Sequence, residues 1–170
     1  MIVLRICLAA VLALAVLPAR AEVAALPALA GPVILTVTGL DPARFDDGRV
    51  ELDLGRLQAI GTDDIVTSSI WTEGTHRYTG VMMDDLISAL GIGGGTLHLH
   101  ALNDYSVDFP VAEATPGAPI LSYQMDGTNM TVRDKGPIWV MFPFDDSADY
   151  RTDTNFSRSI WQLDRIDVLP

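Results

Sequence analysis

The chain is almost free of two residue types that carry much protein chemistry, cysteine and lysine. Its 170 residues include one cysteine, Cys7, and one lysine, Lys135. Cys7 lies in an apolar N-terminal stretch, so the rest of the chain has no thiol for a disulfide, for nucleophilic catalysis or for cysteine-held zinc. The fold must therefore be stabilised by packing and hydrogen bonding.

Positive charge is also scarce. Eleven basic residues stand against 22 acidic ones, which gives a net charge of −11. Proteins that bind nucleic acid use clusters of Lys and Arg to neutralise phosphates, and anionic lipid surfaces are bound in the same way. The charge balance therefore argues against both kinds of partner.

Long apolar runs are absent beyond the N-terminus. Arg5 precedes an apolar stretch at residues 6–17, and Ala19-Arg20-Ala21 forms a small-residue cleavage site. We expect a signal peptide at residues 1–21 and a periplasmic or secreted product without a membrane span. The alternative, an uncleaved anchor, is disfavoured because a bilayer span needs about 20 apolar residues. Cleavage would remove two arginines and leave nine cations.

Residue patterns after the leader predict one α+β domain that is mainly β. Residues 22–31 show no periodicity and predict a flexible lead-in, with the domain at residues 32–170. Two helices are predicted at residues 54–60 and near residues 82–90, the first with Asp53 as N-cap. Strands are predicted at residues 33–37, 65–71, 96–102, 105–109, 120–125, 128–132, 138–142 and 160–169. Glu73-Gly74 indicates a turn, and Asp126-Gly127 is a strong hairpin signal.

The sequence gives little support for an enzyme, because the recognised catalytic and metal-binding motifs are missing or incomplete. No nucleophile elbow, phosphate loop or dinucleotide fingerprint occurs. His98 and His100 would share one face of a strand, but further ligands at recognisable spacing are missing, so a metal site there is the minor alternative. The acidic loop 145–155 lacks the glycine and final glutamate of an EF-hand. His76 is interpreted as a solvated turn residue.

One short basic segment stands out in this acidic sequence. Arg133 and Lys135 lie two residues apart, and an extended chain would place both on one face. They could hold a carboxylate, sulfate or phosphate, or they could pair with the chain's own carboxylates, which the acid excess favours slightly. Aromatic residues could line a pocket or simply form core: Trp71, Tyr105, Trp139 and Trp161.

Several motifs together resemble the molybdopterin-binding oxidoreductase domain, the fold of the sulfite oxidase family, and particularly its short secreted bacterial members. The similarity runs from about Pro32 to the C-terminus. It is carried by Trp71-Thr72-Glu73-Gly74, Tyr78-Thr79-Gly80-Val81, Leu86-Ile87, Ala101-Leu102-Asn103-Asp104-Tyr105 with Pro110, Asp126-Gly127-Thr128-Asn129-Met130, Val132-Arg133-Asp134-Lys135-Gly136-Pro137 and Trp161-Gln162-Leu163-Asp164-Arg165-Ile166.

The resemblance implies a cofactor cleft but not the metal chemistry of the family. Catalytic members hold molybdenum through a cysteine thiolate, and the corresponding stretch here, residues 65–74, has none. Ser68 or Ser69 would be an unusual substitute for a soft thiolate. The chain is also shorter than catalytic members, so no cofactor is expected. The cleft residues implied are Trp71, Glu73, Asn103, Asp104, Tyr105, Arg133 and Lys135.

These observations predict a non-catalytic sensory module that binds a small anion or a periplasmic protein in the former cofactor cleft. Two alternatives stay open. One is a molybdopterin-dependent oxidoreductase, or a subunit of one, that holds its cofactor without the thiolate. The other is a purely structural subunit of a larger assembly.

Overall fold

The computed structural model describes residues 26–170, so the predicted leader lies outside the described residues. Within this range the chain forms ten strands in two sheets and three α-helices, which confirms a mixed, mainly β domain. The strands are β1 (Leu35–Thr38), β2 (Val50–Leu52), β3 (Asp63–Ser69), β4 (Thr72–Met82), β5 (Thr96–Ala101), β6 (Ser106–Pro110), β7 (Ile120–Met125), β8 (Thr128–Asn129), β9 (Trp139–Met141) and β10 (Leu163–Leu169). The helices are α1 (Leu54–Ile60), α2 (Met83–Leu90) and α3 (Asp153–Arg158).

The first sheet has the order β2-β1-β10-β5-β6. The C-terminal strand β10 lies in its centre, parallel to β1 and antiparallel to β5. In β5, Leu97, Leu99 and Ala101 are buried, while the residues between them are partly exposed. Apolar residues that alternate in this way bury one face of a strand, which is the pattern that predicted it from the sequence.

The second sheet has the order β3-β4-β7-β8, and β9 pairs with β7 alongside β8. Asp126 and Gly127 connect β7 to β8 with φ angles of 50° and 76°, as the Asp-Gly hairpin signal predicts. Strand β8 is shorter than predicted because residues 132–134 turn into a 3₁₀ helix. Buried residues from both sheets form one apolar core, in which Trp139 and Tyr78 are the largest fully buried side chains.

The turn predicted at Glu73-Gly74 was wrong, and strand β4 was not predicted. The chain reverses at Ile70 and Trp71, and Glu73 and Gly74 lie inside the long strand β4. The inward positions of β4 include His76 and Gly80, and this interruption of the apolar alternation hid the strand. Gly80 lies where the pairing between β4 and β7 shifts register.

Asp53 connects the N-terminal segment to helix α1. Its Oδ1 atom accepts from the Arg56 N–H at 2.8 Å, which confirms the predicted N-cap. Its Oδ2 atom accepts from the N–H groups of Ala30 and Gly31, at 2.7 and 2.8 Å. Arg56 also donates to the Pro27 carbonyl. The described part of the predicted flexible lead-in is therefore anchored to α1.

We expect Gly80→Ala to lower the free energy of unfolding by about 1–3 kcal/mol, the usual cost of overpacking. A Cβ atom at this position would lie 2.1 Å from the Leu121 carbonyl oxygen, and backbone cannot move aside cheaply. Gly94→Ala is the matched control, because a Cβ there meets nothing within 4 Å. Urea unfolding of both variants measures the difference in stability. Equal stabilities would contradict the close approach of the Leu121 carbonyl to Gly80.

We expect Asp53→Asn to destabilise the domain at pH 6 and to do so less at pH 3. The N–H groups of Ala30, Arg56 and Gly31 hold the pKa of the Asp53 carboxyl below its usual range. The stabilisation from this carboxylate is therefore present above about pH 4 and is lost as the pH falls through the lowered pKa. Urea unfolding should show a smaller difference in the free energy of unfolding between Asp53→Asn and wild type at pH 3 than at pH 6. The exposed Asp46→Asn control should show no such difference at either pH. A difference independent of pH would refute this role of the charge.

Candidate functional site

An aromatic cluster gathers around Trp71 at the turn between β3 and β4. Its ring lies 5.8 Å from Trp139, 6.0 Å from Trp161, 6.0 Å from Phe156 and 6.3 Å from Phe144, between ring centroids. The steep angles between most of these rings are those of edge-to-face packing. Trp139 is fully buried, whereas Trp71 and Trp161 keep part of their surface exposed. The cluster is therefore core on one side and accessible on the other.

A cavity of about 310 Å³ opens on the accessible side of this cluster. Its walls come from the β3–β4 turn, the β5–β6 turn, helix α3 and the segment that follows α3. The volume lies at the lower end of the range for small-molecule sites. The lining residues are all uncharged: Trp71, Asn103, Tyr105, Phe156, Ser157, Ser159, Ile160 and Trp161.

Hydrogen bonds fix the polar part of the wall. The Tyr105 hydroxyl donates to the Ser157 carbonyl at 2.9 Å, and the Asn103 side-chain oxygen accepts from the Tyr105 N–H at 3.2 Å. The hydroxyls of Ser157 and Ser159 donate to the backbone carbonyls of Thr154 and Asn155, both within α3. Within residues 26–170, the Asn103 amide hydrogens and the indole N–H groups of Trp71 and Trp161 have no protein acceptor. The lining thus offers both free N–H donors and hydroxyl oxygens that can still accept, those of Tyr105, Ser157 and Ser159.

Three of the predicted cleft residues, Trp71, Asn103 and Tyr105, line this one cavity. The other four, Glu73, Asp104, Arg133 and Lys135, do not line it. Glu73 in β4 and Asp104 in the β5–β6 turn, with a φ of 64°, are both exposed. The walls that the sequence analysis did not predict are Phe156, Ser157, Ser159 and Ile160. The Thr152 side chain accepts from the Asn155 N–H and caps α3, which is the local signal that could have indicated this helix.

The segment that carries Arg133 and Lys135 is a tight turn, not the extended chain that was expected. Residues 132–134 form a 3₁₀ helix, and Lys135 follows with a φ of 72°. The Lys135 ammonium lies 4.3 Å from the ring centroid of Trp161 and 5.2 Å from that of Trp139, within the range of cation–π contacts. Neither Arg133 nor Lys135 forms an ion pair with a carboxylate of the described chain. This differs from the interpretation that the chain's own acids neutralise them.

The two serines considered as metal ligands are occupied by other contacts. The backbone N–H and the hydroxyl of Ser68 both donate to the Asp145 carboxylate, at 2.6 and 2.7 Å. The Ser69 hydroxyl bonds the Thr72 hydroxyl at 2.7 Å. Arg151 also contacts Asp145, and together with Ser68 it holds the pKa of that carboxyl below its usual range. Asp145, the first carboxylate of the acidic loop 145–155, is thus engaged in hydrogen bonds within the protein.

The two strand histidines share one face of β5, as predicted, with ring centroids 4.3 Å apart. His98 Nδ1 lies 2.5 Å from Asp108, and His100 Nε2 lies 2.8 Å from Asp167. Across residues 26–170, no group of three or more His, Cys, Asp or Glu side chains is placed to hold a metal ion.

His76 was predicted to be a solvated turn residue, and this was wrong. It lies in β4, partly buried, with Nδ1 2.7 Å from Asp126 and Nε2 2.9 Å from the Glu73 carbonyl oxygen. Both partners are acceptors, so both bonds form together only when both ring nitrogens carry a proton. The bond to Asp126 raises the pKa of His76 above its usual 6.5. His76 thus connects the Glu73 carbonyl in β4 to Asp126 in the turn between β7 and β8.

Comparison with known proteins identifies no family for this chain. No protein-family model and no curated protein matches the chain. In the described range, no helix is long and apolar enough to cross a membrane. The function must therefore be argued from the cavity and its surroundings.

We expect an NMR titration to show that His76 keeps its second proton to a pH above 6.5. Because the pKa is raised on folding, the stabilisation from this group is complete below pH 6.5 and is lost as the pH rises through the folded pKa. Asp126→Asn removes the paired charge and should return the pKa toward 6.5. If His76 titrates in wild type at or below 6.5, the imidazolium assignment fails.

Proposed function

We propose that the protein is a non-catalytic binding module that acts outside the cytoplasm and takes a small ligand in the cavity beside Trp71. The observation that carries this proposal is the convergence of Trp71, Asn103 and Tyr105, from two separate turns, on one apolar cavity. A mostly apolar hollow with a few fixed polar groups is the usual form of a small-molecule site. The predicted leader at residues 1–21 supports an exported location.

We assign the domain to the sulfite-oxidase-type, molybdopterin-binding fold. The ordered motifs from Trp71 to Ile166 support this assignment. A mainly β domain with three short helices is compatible with it. The assignment makes the cavity a remnant of a cofactor cleft that now has another ligand.

The donor chemistry near the cavity does not fit thiolate-held molybdenum. Cys7, in the predicted leader, is the only cysteine of the chain. Ser68 and Ser69, the nearest oxygen donors in the corresponding stretch, bond Asp145 and Thr72 instead. A hard alkoxide would also be a poor substitute for the soft sulfur of a thiolate. We therefore derive no reaction step through such a metal.

A protein partner is the second candidate, because apolar side chains are exposed beside the cavity. Ile70 directly precedes Trp71 and is 67% exposed, and Leu102 directly precedes Asn103 and is 50% exposed. Leu102 is connected to Val132, also 50% exposed, through Gln162, which accepts from the Leu102 N–H and donates to the Val132 carbonyl. Exposed apolar residues grouped in this way indicate a contact surface. A protein bound to this surface would cover the cavity and any small ligand inside it.

Metal and pterin content tests the non-catalytic proposal directly. We expect the chain, exported in a host that makes the molybdenum cofactor, to contain far less than one molybdenum per chain and no pterin fluorescence. The host's own sulfite oxidase-type enzyme, purified in parallel, is the positive control. Near-stoichiometric molybdenum and pterin would overturn the proposal in favour of an oxidoreductase.

A neutral aromatic probe tests the cavity itself. We expect phenylacetamide to shift the indole N–H signals of Trp71 and Trp161 in a ¹H–¹⁵N spectrum more than that of buried Trp139. Asn103→Ala should weaken the probe's binding about fivefold, the effect of one neutral hydrogen bond. Asn129→Ala is the control. It removes a side-chain amide in strand β8, which does not line the cavity, and should leave the affinity unchanged. Binding that is insensitive to Asn103 would place the probe elsewhere.

A further inference from the structure

We infer that the cavity selects a planar aromatic ring that carries a carboxylate, with Lys135 and Arg133 attracting the negative end. This inference rests on the proposed function and names the ligand class for the same site. It joins two features that meet at Trp161: an uncharged aromatic slot that this residue lines, and the Lys135 ammonium over its ring. Arg133 lies two residues from Lys135 in the same turn.

The shape and lining of the cavity favour a flat ring. The plane of Trp71 stands at 83° to that of Phe156 and at 71° to that of Trp161, so these rings form steep walls around the opening. Aromatic rings interact favourably edge to face and in offset stacks, and a flat ligand can use both arrangements here. A bulky aliphatic ligand would lose these contacts.

The charges beside the cavity favour an anion. Lys135 is the only lysine of a chain with a net charge of −11, yet its ammonium lies over Trp161 and pairs with no carboxylate of residues 26–170. Arg133, exposed two residues earlier, also lacks such a pair. By contrast, five of the seven other arginines of the described chain lie within 4 Å of a carboxylate, namely Arg49, Arg77, Arg151, Arg158 and Arg165. A ligand carboxylate would fill this gap by charge-assisted hydrogen bonds.

The backbone holds this positive segment next to the cavity wall. The Lys135 carbonyl accepts from the Gln162 N–H at 3.0 Å, directly after Trp161. The turn before it is closed by the Thr131 carbonyl, which accepts from the N–H groups of Asp134 and Gly136. Lys135 therefore needs only side-chain motion to reach a ligand at Trp161.

A cationic ligand is the main competing class, because aromatic walls also bind quaternary ammonium groups. Here Lys135 already places a positive charge over a ring of Trp161. A second cation in the cavity would be repelled by it, and the lining offers no carboxylate to compensate. The spare hydrogen-bond donors of Asn103, Trp71 and Trp161 also suit an acceptor-rich group.

Three probes that share one ring test the inference by calorimetry at low salt: phenylacetate, phenylacetamide and phenethylammonium. We expect phenylacetate to bind about tenfold more tightly than phenylacetamide, the difference between a charged and a neutral acceptor. Phenethylammonium should bind most weakly. In Lys135→Met, which keeps an apolar stem over Trp161, phenylacetate should lose about tenfold in affinity. Arg44→Met removes another cation that lies over a ring, that of Phe45, and should leave phenylacetate binding unchanged.

The outcomes separate the inference from the proposed function. Equal affinities of phenylacetate and phenylacetamide for wild type would overturn the inference and leave the proposed ligand site intact. Failure of all three probes to bind would overturn both. If Lys135→Met fails to fold, a salt series on wild type decides, because added NaCl weakens an ionic contact and leaves a neutral one little changed. Phenylacetate binding that is insensitive to salt would then overturn the inference.

Discussion

The contact between Trp139 and the segment after helix α3 is the interaction on which the candidate site depends. Trp139 is buried in β9, its indole donates to the Ser159 carbonyl at 3.1 Å, and its backbone forms an isolated bridge with Trp161. This contact fixes α3 and Trp161 against the second sheet. Trp71 from the β3–β4 turn then packs against both Trp139 and Trp161. Trp71 and the segment from Phe156 to Trp161, which are far apart in sequence, thus become walls of one cavity.

Carboxylates take over part of the role that disulfides have in many small domains. Asp53 anchors the N-terminal segment to α1, Asp126 joins His76 and the Arg77 N–H, and Asp145 joins β3 to the acidic loop. Each carboxylate accepts from backbone N–H groups, and such bonds to an ionised acceptor are stronger than neutral ones. The acid excess that looks like a solubility feature in the sequence is therefore partly structural.

Local signals predicted much of the fold, and non-local ones were missed. Asp53 as an N-cap and Asp126-Gly127 as a turn could be predicted because their effects act on neighbouring residues. Strand β4 was not predicted, since its inward side includes His76 and Gly80, whose fit depends on Asp126 and on the backbone of β7. Trp71, Asn103 and Tyr105 were named through the family resemblance. Phe156 and Ser157 were missed, because the Thr152 cap signals only where α3 begins, and the packing of α3 is what brings them to the cavity.

The hydrogen bond from Tyr105 to the Ser157 carbonyl connects two walls of the cavity, the β5–β6 turn and helix α3. A ligand that fits within the existing volume leaves this bond intact. A larger ligand must separate the two walls and break the bond, at a cost of about 1 kcal/mol. The exposed β5–β6 turn at residues 102–105 can move outward while α3 stays packed against the core, so such widening would leave the core in place. The site would therefore discriminate by size in a graded way, with larger ligands admitted at lower affinity instead of being excluded.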